Sequence, residues 1–295
     1  MSERGPAPFI VGSPRSGTTL LRMMLDAHPE LTVLPETHFL PELIEATENG
    51  ATASEAAHVV AEHRRWNDFH LDEGELAARM QAAGERPDPA SAVRAFFDLY
   101  AEKQGKQRWG DKTPEYALAM SQISLLLPEA RFIHVIRDGR DAALSRIRWK
   151  LQRTGKPANI ERLARRWKRW IKRAREQGKQ VPHYTEVRYE DLILETETTL
   201  RRLCEFLDLP WDDAVLEYHT RASERLEEIA HELPESEDRR ALAGDQRLAK
   251  HAMTTKPPTA DRVAVWRTEM EDADRERFES VAGDLLDELG YPVGG

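Results

Sequence analysis

The chain has 295 residues, long enough for one large α/β domain or two smaller ones, each with an ample core. Its 43 Lys and Arg against 52 Asp and Glu leave a formal charge of −9, which argues against a general nucleic-acid binder. A single cysteine, Cys204, excludes an intrachain disulfide, no apolar run approaches the roughly 18 residues of a membrane span, and Met1 to Ala7 is short and polar, so a cytoplasmic protein is expected.

The first predicted strand, Pro8–Val11, opens into Gly12-Ser13-Pro14-Arg15-Ser16-Gly17-Thr18-Thr19, and Gly17–Ala27 follows as a helix stopped by His28-Pro29. Gly12 and Gly17 have the spacing of a P-loop, in which backbone N–H groups and a helix N-terminus point at an anion. Thr18 stands where a nucleotide-hydrolysing P-loop carries its lysine, and Arg15 inside the loop can supply the charge instead. That exchange points to a nucleotide with a different terminal group.

Further strands are predicted at Leu31–Val33, in the short Arg108-Trp109 run, at Arg131–Ile136 and at Tyr184–Arg188. Alternating with helical stretches, they predict an α/β, P-loop-type three-layer fold with a central parallel sheet flanked by helices. The whole of residues 1–295 reads as one domain, with 42–105 as a helical cap inserted on the acceptor side and broken at Pro87–Ser91. Two basic helices are expected between Arg137 and Gln180, interrupted near Gly155-Lys156-Pro157, then helices over Glu190–Leu207 and Asp272–Leu289. Glu235–Lys256 is polar and poorly periodic, which predicts a loop. From Arg140 to Arg175 there are 14 basic residues and 2 acidic ones, either a solvated face or a device that steers anions.

Ligands of an open parallel sheet sit beyond the carboxyl ends of its strands. One edge of this sheet therefore collects Gly12–Thr19, Glu36, Asp111-Lys112, Arg137 and Tyr189: an anion loop, carboxylates, cations and an aromatic ring. Such a set can bind a phosphorylated nucleotide and abstract a proton. Simpler roles compete for several members. Glu36 could cap a helix starting near Thr37, with His38 as a rival base; Lys112 could pair with Asp111 or Glu115; Tyr189 could merely pack on the sheet. His134, inside a strand, reads as a core histidine.

Pro14–Thr19 together with Arg131–Arg140 and Ser145 resembles the paired nucleotide motifs of sulfotransferases, and the chain is most similar to the branch of tyrosylprotein sulfotransferases and their bacterial relatives. Leu20–Pro29, Pro35-Glu36-Thr37 and Phe206–Leu216 extend the resemblance; Glu42–Gly105 lies outside it. The resemblance implies 3′-phosphoadenosine 5′-phosphosulfate (PAPS) as co-substrate, 3′-phosphoadenosine 5′-phosphate (PAP) as product, and a hydroxyl acceptor, with no metal. It implies that Arg15, Ser16, Gly17, Thr18 and Thr19 hold the 5′-phosphosulfate, that Arg137 and Ser145 hold the 3′-phosphate, that Glu36 is the base and that Lys112, with Arg15, stabilises the leaving phosphate. By the same resemblance Tyr189 contacts adenine and Lys256 closes over the nucleotide.

Two other functions remain open at this point, a degenerate P-loop kinase and a non-catalytic nucleotide-binding scaffold. With one cysteine and no membrane anchor, a small-molecule, lipid or carbohydrate acceptor is expected ahead of a peptide tyrosine, and no nucleic acid. The cap's Trp66, Phe69, Phe96, Phe97 and Tyr100 are candidates to line the acceptor pocket or to form the cap's own core. Nothing in the sequence sets an oligomeric state.

Overall fold

A computed structural model describes residues 5–156, 158–235 and 241–294. Five strands, β1 (Ala7–Gly12), β2 (Leu31–Leu34), β3 (Arg108–Asp111), β4 (Ala130–Ile136) and β5 (Tyr184–Arg188), form one sheet in the order β2-β3-β1-β4-β5. All pairings are parallel, and the registers Gly12↔Val135, Leu34↔Asp111 and Ile136↔Arg188 bring the carboxyl ends to a common edge. The fold expected from the alternation of strands and helices is the one observed.

Strand alternation divides the core into two layers. Phe9, Val11, Trp109 and Phe132 face one helical layer; Ile10, Ile133, Val135 and Val187 face the other, built on the helices Thr18–Asp26 and Thr196–Phe206. A third cluster joins the helices Gly139–Thr154, Ile160–Gly178 and Asp272–Glu288 through Trp167, Phe278 and Leu286.

The 42–105 stretch is helical as expected, but its helices Leu40–Glu48, Ala53–Ala61, Glu73–Gln81 and Pro89–Lys103 pack on the sheet as part of the first layer. Phe97 stacks on Trp109 with ring centroids 4.4 Å apart, and Phe69, Phe96 and Tyr100 are fully buried beside Phe39. These aromatics are therefore core, and only Trp66 is partly buried at its margin. Local capping explains the helix starts: Thr52 and Glu55 form a capping box, and Asp88 accepts from the Ser91 amide ahead of Pro89.

The expected loop over Glu235–Lys256 contains a helix, Gly244–His251, and a 3₁₀ turn, Ala252–Thr255. The anchor of that helix is Arg247, 3% exposed and donating to the buried Asp68 carboxylate at 2.6 Å. A polar anchor leaves no apolar stripe for periodicity to register. Residues 236–240 of this stretch, and Pro157 of the expected break between the basic helices, lie outside the described residues.

Candidate active site

The loop after β1 is shaped for close backbone approach. Gly17 has φ +100°, and a Cβ placed there would meet the Tyr189 ring at 2.3 Å; a Cβ on Gly12 would lie 2.7 Å from the Val135 carbonyl. The helix Thr18–Asp26 starts at Gly17 with no side-chain cap, which leaves its first-turn N–H groups without a capping side chain among the described residues. The hydroxyls of Ser13 and Ser16 are buried and have no partner among the described residues. Buried polar groups are normally paired, so this donor set fits an anion.

Arg15 occupies the left-handed region at φ 76° and donates from Nε to Ser145 Oγ at 3.0 Å, across 130 residues of chain. Burial, and then the charges of Arg137 and Arg146, push the Arg15 pKa down to about 10. Guanidinium groups crowded in this way gain most from a shared anionic partner.

Arg137 follows β4. Its guanidinium lies 4.2 Å from the centroid of the Tyr189 ring and donates to the Arg262 carbonyl at 2.9 Å, while its Nε has no hydrogen-bond partner among the described residues. Trp167 Nε1 donates to the Arg137 carbonyl at 3.1 Å and fixes the strand end. Asp141, next to Arg137, has its pKa raised by burial and accepts from the Trp266 amide at 2.9 Å. Tyr189 is buried in the second core layer, packs against Gly17 and lines the cavity.

Glu36 is held on both oxygens. Oε1 accepts from Lys112 Nζ at 2.8 Å; Oε2 accepts from Arg65 Nη2 at 2.6 Å and lies 3.2 Å from His38 Nε2. The next helix begins at Leu40 with Phe39 as its N-cap, so Glu36 is not a helix cap, and Lys112 pairs with Glu36 rather than with Asp111 or Glu115. Lys112 is buried, and desolvation lowers its pKa despite the Glu36 charge. Behind the pair, Asp111 accepts from Thr37 at 2.9 Å and Thr113 at 3.3 Å, and the Tyr116 hydroxyl lies 2.9 Å from Thr37 Oγ1 while accepting the Leu40 amide. This buried network holds the turn that carries Glu36. Burial pushes the Asp111 pKa up to about 7. His134 is a core residue, fully buried 2.7 Å from the Tyr184 hydroxyl.

Arg15, Gly17, Thr18, Thr19, Glu36, Arg137, Ser145 and Tyr189 all line one cavity of about 750 Å³. Ser16 and Lys112 are buried immediately behind that lining. Lys256 is different: its side chain is exposed and outside the lining, its carbonyl accepts from Tyr218 at 2.6 Å, and its neighbours Pro257, Pro258 and Thr259 face the cavity instead.

Eight arginines and three acidic residues line the cavity among the described residues, in a chain whose formal charge is −9. Arg64, Arg65 and Arg262 carry no motif and are not singled out by sequence. Arg146, Arg148 and Arg166 come from the basic block, whose other members Arg140, Lys168 and Arg175 pair with Glu279, Asp284 and Glu186. That block is part anion-facing wall and part structural ion pairs.

The model of the sulfotransferase family matches residues 6–213. A protein-tyrosine sulfotransferase A from Caenorhabditis elegans is 31% identical over 223 residues, covering 74% of this chain and 53% of that protein. The chain thus spans about half the length of the curated relatives it matches. Among solved structures, the sulfotransferase domain from the curacin biosynthetic pathway superimposes with a TM-score of 0.64 at 20% identity, covering 99% of this chain and 100% of that one. Mouse sulfotransferase SULT7A1 complexed with PAP gives a TM-score of 0.50 at 12% identity, covering 96% of this chain and 85% of that one. Both structural likenesses are likenesses of fold.

Proposed function

The chain belongs to the sulfotransferase family, and on that premise we propose that it moves a sulfuryl group from PAPS to an acceptor hydroxyl. The observation that carries the proposal is the meeting of two anion-binding elements on one cavity: the Gly12–Gly17 loop and the Arg137–Ser145 pair, joined by the Arg15–Ser145 hydrogen bond. A single terminal phosphate needs only the first; a nucleotide with phosphates at both ends of its ribose uses both.

In this reading the loop amides, Ser13, Ser16, Thr18, Thr19 and Arg15 hold the 5′-phosphosulfate, and Arg137 with Ser145 holds the 3′-phosphate. Tyr189, on which Arg137 already lies, supplies a flat surface for the adenine. Pro257, Pro258 and Thr259, next to Lys256, form the rim in its place. The donor supplies an activated sulfuryl group with a good leaving phosphate. The chain's own groups align the acceptor, take its proton at Glu36 and neutralise the charge that develops on the leaving oxygen through Arg15 and Lys112.

The relatives' names support a peptide tyrosine as the acceptor to test first, ahead of the small-molecule, lipid or carbohydrate hydroxyl expected from sequence. The expectation from sequence rests on cysteine number and the lack of an apolar span, neither of which touches the acceptor side of the cavity. No helix among the described residues is long and apolar enough to cross a membrane.

The test is transfer of radiolabelled sulfuryl from PAPS to a tyrosine-containing peptide, run beside simple phenols and with Glu36→Gln as a parallel sample. Transfer by the wild type that collapses in the variant supports the proposal. Transfer that is unchanged in the variant removes Glu36 from the mechanism.

A further inference from the structure

Glu36 does not end its contacts at Arg65. The Arg65 guanidinium bridges two carboxylates, donating from Nη2 to Glu36 at 2.6 Å and from Nη1 to Asp68 at 3.3 Å. Asp68 is wholly buried, and its Oδ2 also accepts from Arg247 Nη2 at 2.6 Å, while His231 Nε2 lies 2.8 Å from Oδ1. Arg247 in turn donates to the His231 carbonyl at 3.1 Å. A row of alternating charge therefore runs Lys112, Glu36, Arg65, Asp68, Arg247, from the end of β3 to the helix Gly244–His251.

We propose that Asp68 is a positioning residue that, through Arg65, sets how strongly Glu36 attracts a proton, and that Arg247 tunes this by competing for the same carboxylate. The proposal rests on Glu36 being the base. A carboxylate held by both an ammonium and a guanidinium is a poor proton acceptor, because both cations favour its ionised form. Asp68 offsets one of them: a guanidinium that shares its charge between two carboxylates stabilises each less than it would stabilise one alone. Arg247 draws on Asp68 from the far side and weakens that offset.

Other groups near Glu36 include His38 on its own turn, Lys112, and Asp111 buried behind, with Arg22 acting on Lys112 from the helix Thr18–Asp26. Arg64 and Glu115 share the cavity wall. The bonded route from Asp68 to Glu36 runs through Arg65, which donates to both carboxylates. The arrangement also joins the base to a segment whose neighbours His251, Met253 and Thr254 line the cavity.

The experiment is a ¹³C NMR pH titration of the Glu36 carboxyl in protein labelled on glutamate, assigned with Glu36→Gln, in wild type, Asp68→Asn and Arg247→Gln. Thermal melting checks folding, and calorimetric titration with PAP runs beside it. Asp68→Asn is expected to lower the Glu36 midpoint, and Arg247→Gln to raise it, each by about 1 unit, the low end of what a neighbouring charge does. Opposite signs exclude simple loosening, which moves both variants the same way, and loss of both shifts in an Arg65→Gln background shows that Arg65 relays them; shifts that persist there overturn the relay. Movement in one direction, or no movement in either, overturns the proposal. If Asp68→Asn does not fold, Arg247→Gln decides alone: an unmoved or lowered midpoint overturns it. Wild type that binds no PAP defeats the donor assignment while the titration still decides the positioning role.

Discussion

Arg15 Nε and Ser145 Oγ are 3.0 Å apart, although 130 residues separate them in the chain. The bond closes the Gly12–Gly17 loop onto the helix that follows β4, so the loop and the Arg137–Ser145 pair belong to one wall of the cavity. β1 and β4 are neighbours in the sheet, paired from Ala7↔Ala130 to Gly12↔Val135, and this register sets the two elements side by side. The electrostatic result is an Arg15 whose pKa is lowered by burial first and then by the charges of Arg137 and Arg146.

Anions should therefore stabilise the protein. PAP at about 100 times its Kd is expected to add about 2.7 kcal/mol to the folded state by mass action, seen as a rise of several degrees in the melting temperature. Arg15→Met should lose most of that rise, because it removes both the loop cation and its bond to Ser145. An equal rise in the variant would mean that Arg15 does not face the bound anion.

Gly17→Ala should damage the site and the fold together. The residue sits at φ +100°, and the new Cβ would fall 2.3 Å from Tyr189 Cδ2, inside contact distance of a buried ring that cannot swing away from Arg137 without loss. Strain of this kind costs about 1–3 kcal/mol before the clash is counted. Melting temperature and PAP affinity should both fall; loss of neither would show that the loop has room to rearrange.

Glu36→Gln should cut turnover by about 10²–10⁴-fold, the usual range for removing a general base. PAP affinity should stay within about twofold, since Glu36 is assigned to the acceptor proton and not to the donor. Isothermal titration with PAP and single-turnover transfer assays separate the two effects. A parallel loss of PAP binding would place the carboxylate in donor binding instead.

Asp111 gives the fold its own pH dependence. Burial raises its folded pKa to about 7, above the ordinary carboxylate value, so the folded state holds a proton that the unfolded chain has released. Its contribution to stability is fully present below about pH 4, where both states are protonated, and is lost progressively as pH rises to about 7. Asp111→Asn should flatten that stretch of the stability curve and be the more stable protein at pH 8, provided the amide keeps the Thr37 and Thr113 hydroxyls paired. Chemical denaturation at pH 5, 6, 7 and 8 measures it; parallel curves for the two proteins would contradict the assignment.

The legible parts of this protein are the ones written in local pattern. Strand runs, the two-glycine loop and the Arg137–Ser145 spacing each carry a backbone or spacing requirement that sequence displays, and the structure gathers Arg15, Glu36, Arg137, Ser145 and Tyr189 on one cavity. Arg65 and Asp68 were illegible for a different reason. Their meaning lies in contacts with Glu36 and Arg247, 29 and 179 residues away, and a lone charged residue in a helical insertion has no local mark of such a partner. The aromatics of that insertion can be read from sequence as pocket or core, and their burial beside Phe39 and Trp109 settles Phe69, Phe96, Phe97 and Tyr100 as core. The helix Gly244–His251 escaped periodicity because a buried arginine, not an apolar stripe, holds it.

Calorimetric titration with PAP beside ADP, on wild type and Arg137→Ala, tests the central claim most directly. The account predicts a clear preference of the wild type for PAP, and a loss of about 10–100-fold in PAP affinity in the variant, as charge-assisted hydrogen bonds worth about 1.5–3 kcal/mol disappear, with ADP affinity little changed. Equal affinity for the two nucleotides, or a variant that binds PAP as the wild type does, would contradict it.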